Sequence, residues 1–127
     1  MVELPRLYRV LIESVRLVAS DCRIQIDCLP KFVNVPDEIA LTYHDAFLLT
    51  DQLTEAGLLG GDQAHRLEDL DKHFDQMNAN TGLWTLAALR QDVKWEDARK
   101  KAQDILSMLN VDYAPPDLFW LTFIGTS

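Results

Sequence analysis

An apolar stripe along residues 4–29 constrains the fold of this chain more than any other feature of the sequence. At 3.6 residues per helical turn, one face of the segment consists of ten apolar or cysteine side chains: Leu4, Leu7, Tyr8, Leu11, Val15, Val18, Ala19, Cys22, Ile26 and Leu29. Pro30 ends the stripe, because proline disfavours the α conformation in the residue before it. A helix with so long an apolar face must be covered by other helices, so we expect it at the centre of an antiparallel helical bundle.

The last part of this segment, residues 22–29, also fits a β-strand. Apolar and polar side chains alternate from Cys22 to Cys28, which is typical of a strand with one buried face. The rest of the chain offers only weak partner strands, so we favour the helix and keep the strand as the alternative. Neither conformation brings the two cysteines within disulfide distance. Two unpaired thiols are typical of a reducing compartment, and we therefore expect a cytoplasmic location.

Four further helices are predicted from the spacing of apolar residues and from the turn residues between them. They lie at about residues 37–56, 62–79, 83–91 and 93–109. Their connections are short, so helices that follow one another should pack antiparallel. An aromatic segment, residues 117–124, follows a stiff linker and is expected to cover one end of the bundle. The 127 residues are thus predicted to form a single all-α domain of four to five helices.

Three arginines form a basic row on the predicted first helix. Arg9, Arg16 and Arg23 are each seven residues apart, so a helix places them along one line. The row could bind an acidic partner or phosphate. We favour pairing with the chain's own acidic second and third predicted helices.

Negative charge is concentrated in the middle of the chain. The net charge is −8, and residues 32–80 contain ten acidic but only two basic side chains. This excess argues against binding to a nucleic-acid backbone, which requires clustered lysine and arginine. No apolar run is long enough to cross a membrane. An acidic surface of this kind favours solubility, and it is also suited to a basic protein partner.

One arrangement on the third predicted helix has the spacing of metal ligands. His65, Asp69 and His73 are four residues apart, so a helix places them on one face, where imidazole and carboxylate groups can bind a divalent transition metal. We expect this face to point into solvent, opposite the apolar stripe, and therefore predict no metal and no other cofactor. The sequence also has no nucleophile elbow and no phosphate-binding glycine loop, so an enzyme is not expected.

The favoured function is that of a non-catalytic, acidic protein-binding module. In concrete form it is a small bacterial inhibitor of the immunity-protein type, which neutralises a basic toxin. The predicted partner-binding surface combines two leucines with nearby polar and acidic residues: Leu41, His44, Asp45, Leu48, Asp51, Glu55, Glu68 and Asp69.

Two alternatives remain open from the sequence. One is a homo-oligomeric structural or adaptor protein, whose dimer contact is residues 118–124 or a second apolar row on the first helix, Val10, Leu17 and Ile24. The other is a metal-binding protein or enzyme that uses His65, Asp69 and His73.

Overall fold

The computed structural model describes residues 4–121, which form α-helices around one hydrophobic core. Seven α-helices lie in this range: α1 (Leu4–Ala19), α2 (Cys22–Asp27), α3 (Val35–Phe47), α4 (Thr50–Glu55), α5 (Gly61–Met77), α6 (Leu86–Gln91) and α7 (Val93–Met108). A 3₁₀ turn, Thr81–Leu83, precedes α6. None of the described residues is in a β-strand, so the predicted all-α bundle is confirmed.

The long N-terminal helix lies at the centre of the bundle, as predicted. α1 packs most extensively against α7 and then against α3. Leu11 and Val15 on the main apolar stripe are fully buried, and so is Leu17 on the second apolar row. Residues of both rows are buried because helices lie on more than one side of α1.

The predicted first helix, residues 4–29, is in fact two helices. The helix is interrupted at Asp21, whose backbone is extended and whose side chain accepts a hydrogen bond from the Ile24 amide at 3.0 Å. An aspartate in this position is an N-cap, which starts a new helix. Residues 22–27 are helical, so the strand alternative for this segment is wrong.

Gln25 holds the two helices together at the break. Its side chain is fully buried, and its amide nitrogen donates to the carbonyls of Leu17 and Val18 at 3.1 and 3.0 Å. These carbonyls belong to the last turn of α1, where the usual donor four residues further along the helix is missing. The Gln25 side-chain oxygen accepts from the Arg99 guanidinium, which also donates to the Leu89 carbonyl. The network therefore joins α1 and α2 to α6 and α7.

The predicted second helix, residues 37–56, is also interrupted. α3 begins two residues early because Asn34 caps it, accepting from the Asp37 amide at 3.2 Å. α3 ends in a tight turn, in which the Leu49 amide donates to the Ala46 carbonyl at 3.0 Å, and α4 follows. Gly57, with a φ of +80°, ends α4 in the left-handed conformation that glycine adopts easily.

The last three predicted helices correspond to α5, α6 and α7. α6 is shorter than predicted, because residues 81–83 form the 3₁₀ turn and Thr85 caps the helix by accepting from the Ala88 amide at 3.1 Å. Asp92 caps α7 in the same way, accepting from the Lys94 amide at 2.8 Å. Short side chains with a good acceptor thus mark both helix starts.

Residues 111–121, which we call the strap, run back along α1 without helical structure. The strap follows Asn110, which has a φ of +57°. Its Tyr113 hydroxyl lies 2.9 Å from the Ser20 hydroxyl, near the end of α1. The side chain of Phe119 lies near the start of α1, with the Arg9 guanidinium 4.7 Å from its ring centre. Residues 122–124 of the predicted aromatic segment lie outside the described residues.

The arginine row on the first helix contacts the strap. Arg9 forms an ion pair with Asp117 at 2.9 Å, and Arg16 donates to the Asp112 carbonyl at 2.9 and 3.3 Å. The predicted pairing with the acidic second and third helices is therefore wrong for these two arginines. The prediction failed because the strap, which carries its own acceptors, lies closer to this side of α1.

Glu13 is the one acidic side chain that is buried under the strap in the described structure. It is 3 % exposed, and its two oxygens accept from the Asp117 backbone amide at 2.8 Å and from the Arg16 guanidinium at 2.7 Å. A buried carboxylate is stable only when its oxygens are paired in this way. Glu13 therefore connects the strap to the middle of α1.

Candidate protein-binding groove

A groove runs between α3 and α5 and has a volume of about 270 Å³. The two helices are held together beneath it by Tyr43, which is fully buried and donates from its hydroxyl to the Leu67 carbonyl at 2.6 Å. Burial raises the pKa of Tyr43 well above its usual value, so the hydroxyl stays a donor. The Tyr43 ring also packs on Phe74, with ring centres 5.9 Å apart. These contacts join α3 to α5 next to the groove.

The lining of the groove divides into an acidic part and an apolar part. Three carboxylates line it, those of Asp37 on α3 and of Asp71 and Asp75 on α5. The apolar part is formed by Ala40, Leu41, Phe74 and Trp84. No lysine or arginine of residues 4–121 lines this groove. The surface thus offers negative charge beside exposed apolar area.

His44 is the one basic group that the described lining contains. Its Nδ1 lies 2.8 Å from the Asp71 carboxylate, and about half of its side chain is exposed. The hydrogen bond to Asp71 raises the pKa of His44, and the charges of Asp71, Asp45 and Asp75 raise it further. Protonated His44 therefore neutralises part of the negative charge when no other cation is present.

The stability of the protein is expected to depend on the protonation of His44. Because its folded pKa is raised above the unfolded value of about 6.5, the His44–Asp71 interaction stabilises the fold fully below that pH. The stabilisation is lost as pH rises through the folded pKa. An exposed pair of this kind contributes at most about 1 kcal/mol. The measurement is the free energy of unfolding of the wild type and of His44→Gln at pH 5.5 and pH 8.5.

The substitution His44→Gln should lower the free energy of unfolding more at pH 5.5 than at pH 8.5. His65→Gln is the matched control, because His65 is also an exposed histidine but its carboxylate partner lies at the outer limit of 4.0 Å. Equal costs of His44→Gln at the two pH values would show that the ion pair does not form.

Of the predicted partner-binding residues, the structure brings only part into the groove. Leu41 and His44 line it, whereas six others do not: Asp45, Leu48, Asp51, Glu55, Glu68 and Asp69. The two leucines are strongly exposed, at 53 % for Leu41 and 64 % for Leu48. Glu68 forms an ion pair with Lys72 on the surface of α5, with the Lys72 Nζ 2.8 Å from the Glu68 carboxylate.

Sequence reasoning missed Asp37, Asp71, Asp75 and Trp84 as groove residues. Asp71 and Asp75 are four residues apart and flank the apolar stripe of α5, which is a signal that the sequence does contain. Their meeting with α3 depends on the helix packing, which the sequence pattern does not specify.

The structure does not bring the three candidate metal ligands together. His65 is exposed and lies 4.0 Å from Asp69, but His73 is buried and its Nε2 lies 2.8 Å from the Lys94 carbonyl. The prediction that His73 faces solvent is therefore wrong, because α7 covers that side of α5. Residues 4–121 contain no cluster of three or more side chains suited to hold a metal ion.

Comparisons with known proteins add no assignment to this groove. No protein-family model, curated protein or solved structure matches the chain. Within residues 4–121, no helix is both long and apolar enough to cross a membrane. The interpretation of the groove therefore depends on its own geometry and charge.

Proposed function

We propose that the protein is a non-catalytic binding module that holds a basic segment of a partner protein in the α3–α5 groove. The observation that carries this proposal is the lining, in which Asp37, Asp71 and Asp75 accompany apolar side chains and the described residues supply no lysine or arginine. Complementary charge speeds association and selects the partner, and burial of apolar surface slows dissociation.

Each part of the groove has a role in this mechanism. A lysine or arginine of the partner would replace His44 as the cation beside Asp71, which lies 2.8 Å from His44. Leu41 is 53 % exposed and would be covered by the partner. Binding should therefore release a proton from His44, and the affinity should increase as pH rises through the pKa of this histidine.

In its concrete form, the proposed function is inhibition of a basic toxin or enzyme, in the manner of a bacterial immunity protein in the cytoplasm. The support is the distribution of charge, because residues 32–80 carry ten acidic and two basic side chains and supply most of the groove. An inhibitor of this class needs no chemistry of its own, since it acts by covering a cationic substrate cleft.

The dimer alternative is less well supported, because described residues of both surfaces on which it depended pack within the chain. Val10 and Leu17 of the second apolar row on α1 are buried in the core. Leu118 and Trp120 of the aromatic segment are partly buried against that core. Light scattering of the purified protein would test this alternative directly.

Charge reversal in the groove tests the proposed function. The double variant Asp37→Lys/Asp75→Lys is expected to lose at least tenfold in affinity for the basic partner, since the cation would meet like charges. The matched control is Asp51→Lys/Glu55→Lys on α4, which makes the same charge change with exposed residues outside the groove. Asp51 also lies in the first turn of its helix, as Asp37 does.

The measurement is capture of a basic protein from native lysate at low salt, followed by release with salt. The wild type and the α4 control should retain the same partner, and the groove variant should not. Equal retention by both double variants would show that the groove is not the binding site.

A further inference from the structure

A second cavity adjoins the α3–α5 groove and differs from it in character. It has a volume of about 320 Å³ and lies between the α2–α3 turn and the start of α6. Apolar side chains dominate its wall, among them Ile26, Val33, Pro36 and Leu86. The cationic side chain in the described lining is Lys31. We call this depression the apolar cavity.

Trp84 lines both the groove and the apolar cavity, so the two depressions share a wall. Its indole is held in place, because Nε1 donates to the Met77 carbonyl at 3.3 Å and the ring meets Trp95 edge-on at 5.6 Å. Asp37 of the groove and Pro36 of the cavity are also neighbours in the sequence. One extended segment could therefore contact both depressions.

A large apolar side chain is exposed in the lining of the apolar cavity, and another is next to lining residues in the sequence. Leu86 lines it and is 42 % exposed, and Phe32, between the lining residues Lys31 and Val33, is 55 % exposed. An exposed side chain such as Leu86 in an apolar cavity is typical of a surface that a partner covers.

The groove and the apolar cavity differ in the sign of their charged side chains. Asp71 and Asp75 on α5 and Asp37 at the start of α3 line the groove, whereas Lys31 in the α2–α3 turn lines the apolar cavity. A cation of the partner is therefore attracted to the groove and repelled from the apolar cavity. A surface of this kind selects both the composition and the orientation of what it binds.

We propose that the apolar cavity receives a large apolar side chain of the same partner segment whose basic residues occupy the α3–α5 groove. This inference depends on the proposed function and specifies the partner further: the segment carries lysine or arginine next to an aromatic or branched aliphatic anchor. Trp84 would then contact both parts. An anchor of this type supplies most of the binding energy in many interfaces.

Synthetic peptides that carry the two expected features test the inference directly. The probes are capped peptides with two lysines, a spacer of zero to three glycines and a phenylalanine, together with a matched series that has alanine in place of phenylalanine. Binding is followed by NMR, with the indole Nε1 signal of Trp84 assigned by its loss in Trp84→Phe. For at least one spacer length, the phenylalanine peptide should bind about tenfold more tightly than its alanine counterpart.

Substitutions at the cavity supply the control. Leu86→Asp should reduce the affinity of the phenylalanine peptide to that of the alanine peptide. Val93→Asp is the matched control, because Val93 is also exposed in the first turn of a helix but does not line the apolar cavity. The control should leave the difference between the two peptides unchanged.

The results separate this inference from the proposed function. If phenylalanine and alanine peptides bind equally and shift the NMR signals of the groove residues, the inference of an apolar anchor is wrong. The acidic groove would then remain a cation site. If no peptide binds at millimolar concentration, both proposals fail. If phenylalanine improves binding without perturbing Trp84, the anchor lies elsewhere and the inference is overturned.

Discussion

Replacing Trp95 with alanine is expected to destabilise the fold by about 3–5 kcal/mol. Trp95 is fully buried on α7, and its ring lies 5.7 Å from that of Phe74 and 5.6 Å from that of Trp84, measured between ring centres. Its Nε1 donates to the Leu83 carbonyl at 2.7 Å. The substitution removes all of these contacts and leaves a cavity where three helical segments meet. Urea unfolding followed by circular dichroism gives the free-energy change.

A second substitution at the same position separates packing from hydrogen bonding. Trp95→Phe keeps an aromatic ring but loses the bond to Leu83, so it should cost less than the alanine variant. Because Trp95 packs against Trp84, which lines the groove, the alanine variant should shift the NMR signals of the groove residues. A cost below about 1 kcal/mol for Trp95→Ala would contradict the central position that we assign to this side chain.

Replacing Glu13 with alanine is expected to cost about 2–3 kcal/mol and to release the strap from α1. The Asp117 amide lies 2.8 Å from one Glu13 oxygen, and the Arg16 guanidinium lies 2.7 Å from the other. The substitution removes both hydrogen bonds and leaves these two donors without their acceptor. Hydrogen exchange at the Asp117 amide should accelerate, while amides in the core helices keep their relative protection. Exchange measured by NMR reports both effects.

Asp117→Asn is the matched control for this experiment. It removes the exposed ion pair with Arg9 but keeps the backbone amide that donates to Glu13. Since both partners of that ion pair are more than half exposed, the expected cost is below about 1 kcal/mol. If Asp117→Asn released the strap as fully as Glu13→Ala, the surface ion pair and not the buried carboxylate would hold it.

Much of the fold could be predicted from the sequence because the helices are amphipathic. The stripe from Leu4 to Leu29 identified the central helix, and the five predicted helices correspond to segments of the bundle. The predictions missed the breaks inside the first two of them. At Asp21 a side-chain cap overrides a continuous apolar pattern, because the cap acts on the backbone and leaves the apolar periodicity unchanged.

The binding surface was harder to predict than the helices. Leu41 and His44 were identified from the sequence and line the groove, but Asp71 and Trp84 were not. A groove is formed by side chains from two or more helices, and the pattern of one helix does not specify which neighbour it meets. His73 shows the same limit, since its place under α7 depends on a contact with a residue 21 positions further along the chain.

α1 packs against α7 and the strap, which are the last described parts of the chain. The complete core can therefore form only after these segments have been synthesised. Gln103 bonds to the Ala19 carbonyl across 84 residues, and Arg9 meets Asp117 across 108. A ribosome adds about 5–20 residues per second, so the apolar face of α1 waits roughly 4–17 s for its partner on α7. During that time the nascent chain exposes an amphipathic helix with no partner on that face. We therefore expect a chain that stops before α7 to aggregate, and the full chain to need protection from aggregation until α7 has been synthesised.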